Sequence, residues 1–241
     1  MRVLQRQQEQ APVAARAEGE TEADIEATEV VAESRWPMAG AVIAAIALTI
    51  LLPDTIRLGP PWLLPVLEGL LLVALAASDP GRITRRSTTL RILSIGLVLL
   101  LALSSLASTV FLIDELVGGG SITNEAGPLL AAGTTVWTGN ALAFALLFWE
   151  LDGNGPASRA GAMPAFPDFA FPQQNSIHLA PKSWRPRFVD YLYVSLTNSI
   201  AFSPTDTMPL TAWAKMGMAA QSLISFAIVG LVIARAVNVF S

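Results

Sequence analysis

The chain lacks cysteine, has a single histidine and carries few charged side chains. With no cysteine among its 241 residues, it can form neither disulfides nor thiolate metal sites, and His178 alone cannot build a multi-histidine metal site. Charged residues make up 14% of the chain and hydrophobic residues 53%, whereas about a quarter of an ordinary soluble domain is charged. We therefore expect an integral membrane protein that holds no metal and no cofactor.

Long apolar runs recur along the chain and predict its fold class. Each run ends at proline, glycine or charged residues, and its length is close to the 20 or so residues that a helix needs to cross a bilayer. In lipid such a segment is helical because the helix pairs all its backbone polar groups internally. We predict an all-α membrane protein with five transmembrane helices, at 37–52, 62–78, 92–113, 128–149 and 212–240.

Composition divides the chain into four parts. Residues 1–35 carry eight acidic side chains against four arginines, and predict an acidic, disordered cytoplasmic tail. Residues 36–150 hold four of the predicted spans. The segment 151–187 is rich in proline and aromatics without a helical period, which indicates an irregular loop. Residues 188–241 combine a short helix, a polar break and the fifth span.

Arginines in two connecting segments set the predicted orientation. The short loop between the second and third spans carries Arg82, Arg85, Arg86 and Arg91 with one aspartate, and 151–187 is also basic. Basic loops stay in the cytoplasm, which places the amino terminus there as well. Abundant alanine and arginine beside only two lysines are typical of a GC-rich bacterial genome. We expect a multi-pass protein of the bacterial inner membrane whose partner is the lipid bilayer and not nucleic acid.

Four polar side chains inside the predicted spans are candidate intramembrane contacts. Such residues are costly in lipid and usually face the interior of a helix bundle. Glu68 either lies near the end of a thin span, where it meets water or headgroups, or faces the bundle and pairs with another span or a cation. Asn140 is typical of an interhelical hydrogen bond, and Gln221 and Ser225 share one face of the last span.

A short amphipathic stretch precedes the last span. From 188 to 202 apolar residues recur at helical spacing over about four turns, which is too short to cross a bilayer. Pro204 stops the helix because it has no amide donor. This order predicts a short re-entrant, pore-helix-like segment before the last helix. The candidate residues lining its polar vestibule are Ser195, Asn198, Ser199, Ser203, Thr205, Asp206 and Thr207.

The stretch "SLTNSIAFSPTDTMPLT", residues 195–211, resembles the pore helix and filter region of the potassium-channel pore module, with the last span as inner helix. Ser195 falls on the pore-helix serine, while Asp206, Pro209 and Thr211 fall on residues that follow the filter. The resemblance implies a homo-oligomer, a tetramer, that handles small ions. Residues 201–205 occupy the filter position without its glycines, so potassium selectivity is not implied. The whole chain also resembles a bacterial polytopic inner-membrane family with such a degenerate carboxy-terminal pore, which implies no particular function.

Three classes of function stay open. The first is a channel-like or transport-related protein, and the second is a non-conducting membrane scaffold or partner-binding module in which the same stretch is a plug. The third is a membrane-embedded hydrolase that uses Ser176, His178 and Asp190. Because no nucleophile elbow surrounds Ser176, we expect that the protein is not an enzyme.

Overall fold

The structure is a computed structural model that describes residues 32–79, 81–83, 87–120, 124–161, 166–175, 178, 180–181, 183–201 and 206–240. Most of these residues are helical, which confirms the all-α prediction. The helices are α1 (Trp36–Leu51), α2 (Leu63–Ser78), α3 (Thr88–Gly118), α4 (Ala126–Leu151), α5 (Pro156–Arg159), α6 (Pro172–Asn175), α7 (Phe188–Ala201) and α8 (Ala212–Phe240), with two short 3-10 turns at Asp54–Ile56 and Asp152–Asn154.

Three of the helices are long and apolar enough to cross a membrane. They are α3, α4 together with the turn that follows it, and α8. Helices α1 and α2 are also apolar, but each has 16 residues and therefore extends only about 24 Å, against a hydrocarbon core of about 30 Å. The structure thus supports a membrane protein with three spans by length.

One end of the bundle is closed by a pair of short strands. Strand β1 (Glu33–Ser34) pairs antiparallel with β2 (Arg82–Ile83), which brings the start of α1 beside the end of α2. We call this the arginine end. Strand β1 corrects the predicted disordered tail at its last residues, since Glu33 and Ser34 belong to the fold. Residues 1–31 lie outside the described part of the chain.

Two apolar clusters fill the bundle, one near each end. The larger lies near the arginine end and joins the starts of α1, α3 and α8, the ends of α2 and α4, and helix α7. The smaller joins the later parts of α3 and α8, the start of α4 and the connection after α1. Helices α3 and α8 therefore start at the arginine end and run parallel to each other, whereas α4 ends there and runs antiparallel to both.

Helix α7 and the start of α8 both lie at the arginine end. The backbone N–H of Phe188 donates to Glu33 Oε1 at 2.5 Å, which fixes the first residue of α7 there. After α7, strand β4 (Met208–Pro209) pairs antiparallel with β3 (Phe169–Ala170), just before α8 begins. With 14 residues, α7 extends about 21 Å into the bundle, and the chain is back at the arginine end by Met208.

The segment 151–187 is anchored by aromatic rings where it is described. Phe169 meets the Tyr191 ring at a centroid distance of 6.2 Å, and Phe171 meets it at 5.3 Å, both edge-on. Phe171 also contacts Trp184, at 5.9 Å. Edge-to-face pairs of this kind add to the apolar burial. They attach the connecting segment to the first turn of α7.

Helices α4 and α8 approach closely at Gly133. A Cβ atom on Gly133 would lie 2.7 Å from Val232 Cγ2, so a larger residue requires a shift of the Val232 side chain or of one of the two helices. Close approach over small residues is a main source of helix association in lipid. We expect Gly133→Ala to lower the free energy of unfolding by about 1–3 kcal/mol, measured by thermal unfolding in detergent.

Gly139→Ala on the same helix is the matched control. No atom lies within 4 Å of its Cβ position, and alanine is favoured over glycine inside a helix by about 1 kcal/mol. The control should therefore unfold at the wild-type temperature or above it. Equal unfolding temperatures for Gly133→Ala and Gly139→Ala would contradict the close α4–α8 contact.

Candidate functional site

The polar faces predicted on α7 and α8 come together inside the bundle. Gln221 Nε2 donates to Ser195 Oγ at 2.6 Å and to Ser199 Oγ at 2.8 Å. Its Oε1 accepts from Asn198 Nδ2 at 2.9 Å. Ser195 Oγ in turn donates to the backbone oxygen of Ala141 at 2.6 Å. One glutamine thus ties α7 to α8, and one serine ties α7 to α4.

These α7 side chains pack against other helices, and Asn198 also lines a surface cavity beside α8. Ser195 is 0% exposed, and Asn198 and Ser199 are each 1% exposed. The vestibule role of these three residues stays a prediction, because a vestibule shared by several copies would form outside the single chain. Within the chain, their hydroxyl and amide groups hold helices together.

The remaining predicted lining residues follow α7. Thr207 is buried, with 3% of its surface exposed, and Asp206 is exposed. Ser203 and Thr205 lie outside the described residues, as does Ser176 of the hydrolase hypothesis. Of its proposed partners, His178 is exposed, and Asp190 Oδ2 accepts from the backbone N–H of Arg187 at 2.7 Å. That bond is typical of a carboxylate in the first turn of a helix that accepts from the N–H of the residue before the helix.

Two residues predicted to make intramembrane contacts are buried, but Asn140 Nδ2 and Ser225 Oγ make no hydrogen bond within the described part of the chain. Asn140 is 2% exposed, and within the described part of the chain its Nδ2 has no partner. Ser225 is fully buried, and its Oγ likewise has no partner among the described residues. The interhelical hydrogen bond expected from the Asn140 amide N–H groups is therefore not formed there. Gln221 alone of the α8 pair makes the predicted interhelical contact.

Glu68 is the buried acidic residue of α2. It is 0% exposed and lies on the same face as Leu64, Leu72 and Leu75, the other buried residues of this helix. That face packs against α1 and α3. Neither carboxylate oxygen has a hydrogen-bond partner in the part of the chain that the structure describes. Burial excludes the interpretation in which Glu68 meets water or headgroups, and leaves the carboxyl group facing the bundle.

A second polar cluster lies at the arginine end, and the sequence did not point to it. Glu33 accepts two hydrogen bonds, from Trp149 Nε1 at 2.9 Å and from the Phe188 N–H at 2.5 Å. Burial raises the pKa of Glu33, although both N–H donors act to lower it. This carboxyl group joins β1 to the end of α4 and the start of α7.

Asp152 holds the turn after α4 in the same cluster. Its carboxylate accepts from the Tyr191 hydroxyl and, at 3.0 Å, from the Asp168 N–H. Arg159 is 1% exposed, donates to the backbone oxygen of Asp152 and stacks 5.0 Å from the centre of the Tyr191 ring. A buried arginine over an aromatic face is held by cation–π attraction. These contacts rigidify the connection from α4 to α7.

A cavity of about 270 Å³ opens at the arginine end beside these residues. Among the described residues no group of three or more histidine, cysteine or acidic side chains could hold a metal ion. The cavity instead has charged groups of both signs on its wall. Its polar lining consists chiefly of Arg35, Asp79, Ser87, Arg91, Ser94 and Glu150.

Comparison of the chain with protein-family models, with curated proteins and with solved structures finds no match in any of the three. The resemblance of residues 195–211 to potassium-channel pore modules stays a prediction. Function is therefore proposed from the arrangement of the side chains themselves.

Proposed function

We propose that the protein is a transport-related protein of the bacterial inner membrane in which Glu68 takes up and releases a proton or a small cation. The observation that carries the proposal is the buried carboxyl group without a partner in the described chain. An unpaired carboxylate inside a bundle costs several kcal/mol, so the group is stable only when protonated or when a cation neutralises it. Ionisable residues at such positions are typical of proton relays and ion pathways.

The course of the chain supports a bundle of five crossing helices with a re-entrant α7. Helices α1, α2, α3, α4 and α8 would cross, and α7 would enter from the arginine end and return to it. Trp36 begins α1 and Trp62 directly precedes α2. Their exposures of 76% and 61% are typical of aromatic residues at a membrane interface. By the rule that basic segments stay in the cytoplasm, the arginine end and the amino terminus would lie there.

Apolar side chains on the outer surface of α8 support its contact with lipid or with further copies of the chain. Leu223, Phe226 and Ile233 are 70%, 64% and 59% exposed. In the channel-like form of the proposal, four chains surround a common axis and small ions pass along it. In a transporter, each chain works alone through Glu68.

A second candidate is a non-conducting scaffold, which the α7–α8 hydrogen-bond network favours. The side chains resembling those of a pore helix bond to Gln221 and to α4, so α7 would act as a plug. A scaffold needs no group that changes its charge, whereas a transporter does. Glu68 favours transport, because a scaffold gains nothing from an unpaired buried carboxyl group.

Ion flux through reconstituted protein tests the proposal. The wild type in liposomes with an internal pH dye should give a flux of protons or small cations when the corresponding gradient is imposed. Glu68→Gln should lower this flux by about tenfold or more, since an amide neither releases a proton nor carries charge. Glu125→Gln is the matched control, because Glu125 is an exposed carboxylate at the start of α4.

Each outcome distinguishes the candidates. Absence of flux from folded wild-type protein under proton, sodium and potassium gradients would replace the transport proposal with the scaffold. Flux that Glu68→Gln leaves unchanged but Asp206→Ala or Ser203→Ala lowers would place the path along the stretch after α7, and remove Glu68 from it.

A further inference from the structure

The cavity at the arginine end lies where the membrane surface meets the bundle. It is lined by the end of α2, the start of α3 and the end of α4, and has a volume of about 270 Å³. Helix α3 is one of the three helices long enough to cross a membrane. The first residues of a membrane-crossing helix lie at the level of the lipid headgroups, so the cavity lies there too.

One wall of the cavity is positive. Arg91 donates from Nη2 to Asn154 Oδ1 at 3.0 Å, while its Nη1 faces Gly155. Ser87, the residue before α3, makes no side-chain cap. The first backbone N–H groups of this helix therefore receive no hydrogen bond acceptor from the Ser87 side chain. Arg35 also lines the cavity, but its charge is balanced by Asp79 at 3.1 Å. An anion would be bound here by Arg91 and the helix start.

Glu150 supplies a negative charge to the same cavity, close to Arg91. Glu150 is 2% exposed, and its Oε2 accepts from Ser94 Oγ at 2.6 Å. Its Oε1 receives no hydrogen bond from the part of the chain that the structure describes and faces the cavity at Gly155. A carboxylate oxygen that opens on a cavity can accept a hydrogen bond from an external donor, best from a cationic one.

The two charges face one point, which Gly155 leaves open. A Cβ atom at this residue would lie 3.3 Å from Arg91 Nη1 and 3.6 Å from Glu150 Oε1. The φ of Gly155 is +93°, a conformation that other residues adopt only with strain. The charges of Arg35, Asp79, Arg91 and Glu150 cancel. A simple anion would meet Glu150 and a simple cation would meet Arg91, so neither suits the cavity alone.

We propose that this cavity binds a zwitterionic group made of a phosphate and a primary ammonium. The phosphate accepts from Arg91 and from the N–H groups at the start of α3, and the ammonium donates to Glu150 Oε1. An ethanolamine phospholipid presents this chemistry at the membrane surface, and free phosphoethanolamine presents it in solution. The site is separate from Glu68 and does not depend on ion flux.

Native mass spectrometry of the full chain in detergent tests this site with three phospholipids that share their acyl chains. The ethanolamine lipid should bind about tenfold more tightly than the choline and glycerol lipids. A quaternary ammonium has no N–H to donate to Glu150, and a glycerol headgroup has no cation. A rise of the unfolding temperature with free phosphoethanolamine, without selective lipid binding, would assign the site to a soluble ligand of the same chemistry.

Two variants locate the binding within the cavity. Glu150→Gln should remove the preference for ethanolamine over glycerol lipid, and Arg91→Gln should weaken the binding of both about tenfold. Arg235→Gln at the opposite end, where Arg235 donates to Asn124 Oδ1, should change neither. Equal binding of the three lipids to folded wild type, together with no shift by phosphoethanolamine, overturns the proposal whether or not the variants fold. A preference that persists in both variants overturns the assignment to this cavity.

Discussion

Gln221→Leu should lower the free energy of unfolding in detergent by about 2–3 kcal/mol, followed by circular dichroism. Leucine nearly keeps the volume of glutamine but leaves the buried Ser195, Ser199 and Asn198 without their shared partner. A buried polar group left unpaired costs about 1–3 kcal/mol. The expected loss is smaller than the sum for three unpaired groups, because two of them keep another partner. Ser195 still donates to Ala141, and Asn198 still donates to the Met218 carbonyl at 2.9 Å.

Ser225→Ala is the control for this variant on the same face of α8. Ser225 is as buried as Gln221, but its hydroxyl has no partner among the described residues. Removal of an unpaired buried hydroxyl should leave the stability unchanged or raise it slightly. Should both variants lose the same stability, the loss would come from packing on α8 and not from the network that holds α7.

The helices could be placed from the sequence, with the largest deviation in α3. Helix α8 covers the range predicted from the apolar run, and α1 differs by one residue at each end. Helix α3 begins at Thr88 and ends at Gly118, whereas the run predicted 92–113. Hydropathy reports only the apolar part of a helix, while polar residues such as Asp114 and Glu115 continue the same backbone hydrogen bonds beyond it.

Whether a candidate site could be predicted from the sequence depends on how far apart its residues lie along the chain. The shared face of Gln221 and Ser225 could be predicted because helical spacing fixes which residues of one helix are neighbours. Which of them finds a partner depends on how α7 packs, and periodicity does not determine that. Arg91 and Glu150 face one cavity although 59 positions separate them, and Glu33 accepts from Trp149 across 116. No local pattern signals such pairs, since they arise only when the ends of α1, α3 and α4 meet.

Glu68→Leu should raise the free energy of unfolding by about 1–3 kcal/mol. In the described chain neither oxygen of Glu68 has a partner, so the fold bears the cost of desolvating a carboxyl group without a hydrogen bond in return. Leucine is of similar size and would extend the apolar face formed by Leu64, Leu72 and Leu75. The same variant should show no flux, because leucine can bind neither a proton nor a cation.

A polar residue kept at the expense of stability is typical of a functional position. Leu72→Ala, one turn along the same face, is the structural control: it should destabilise by about 2–5 kcal/mol and leave the flux of the folded fraction intact. A lower unfolding temperature for Glu68→Leu would mean that the carboxyl group stabilises the fold through a partner, and its ion-binding role would lose its basis. A variant that is more stable than the wild type and has lost its flux would assign Glu68 to transport, since the loss could not then be attributed to misfolding.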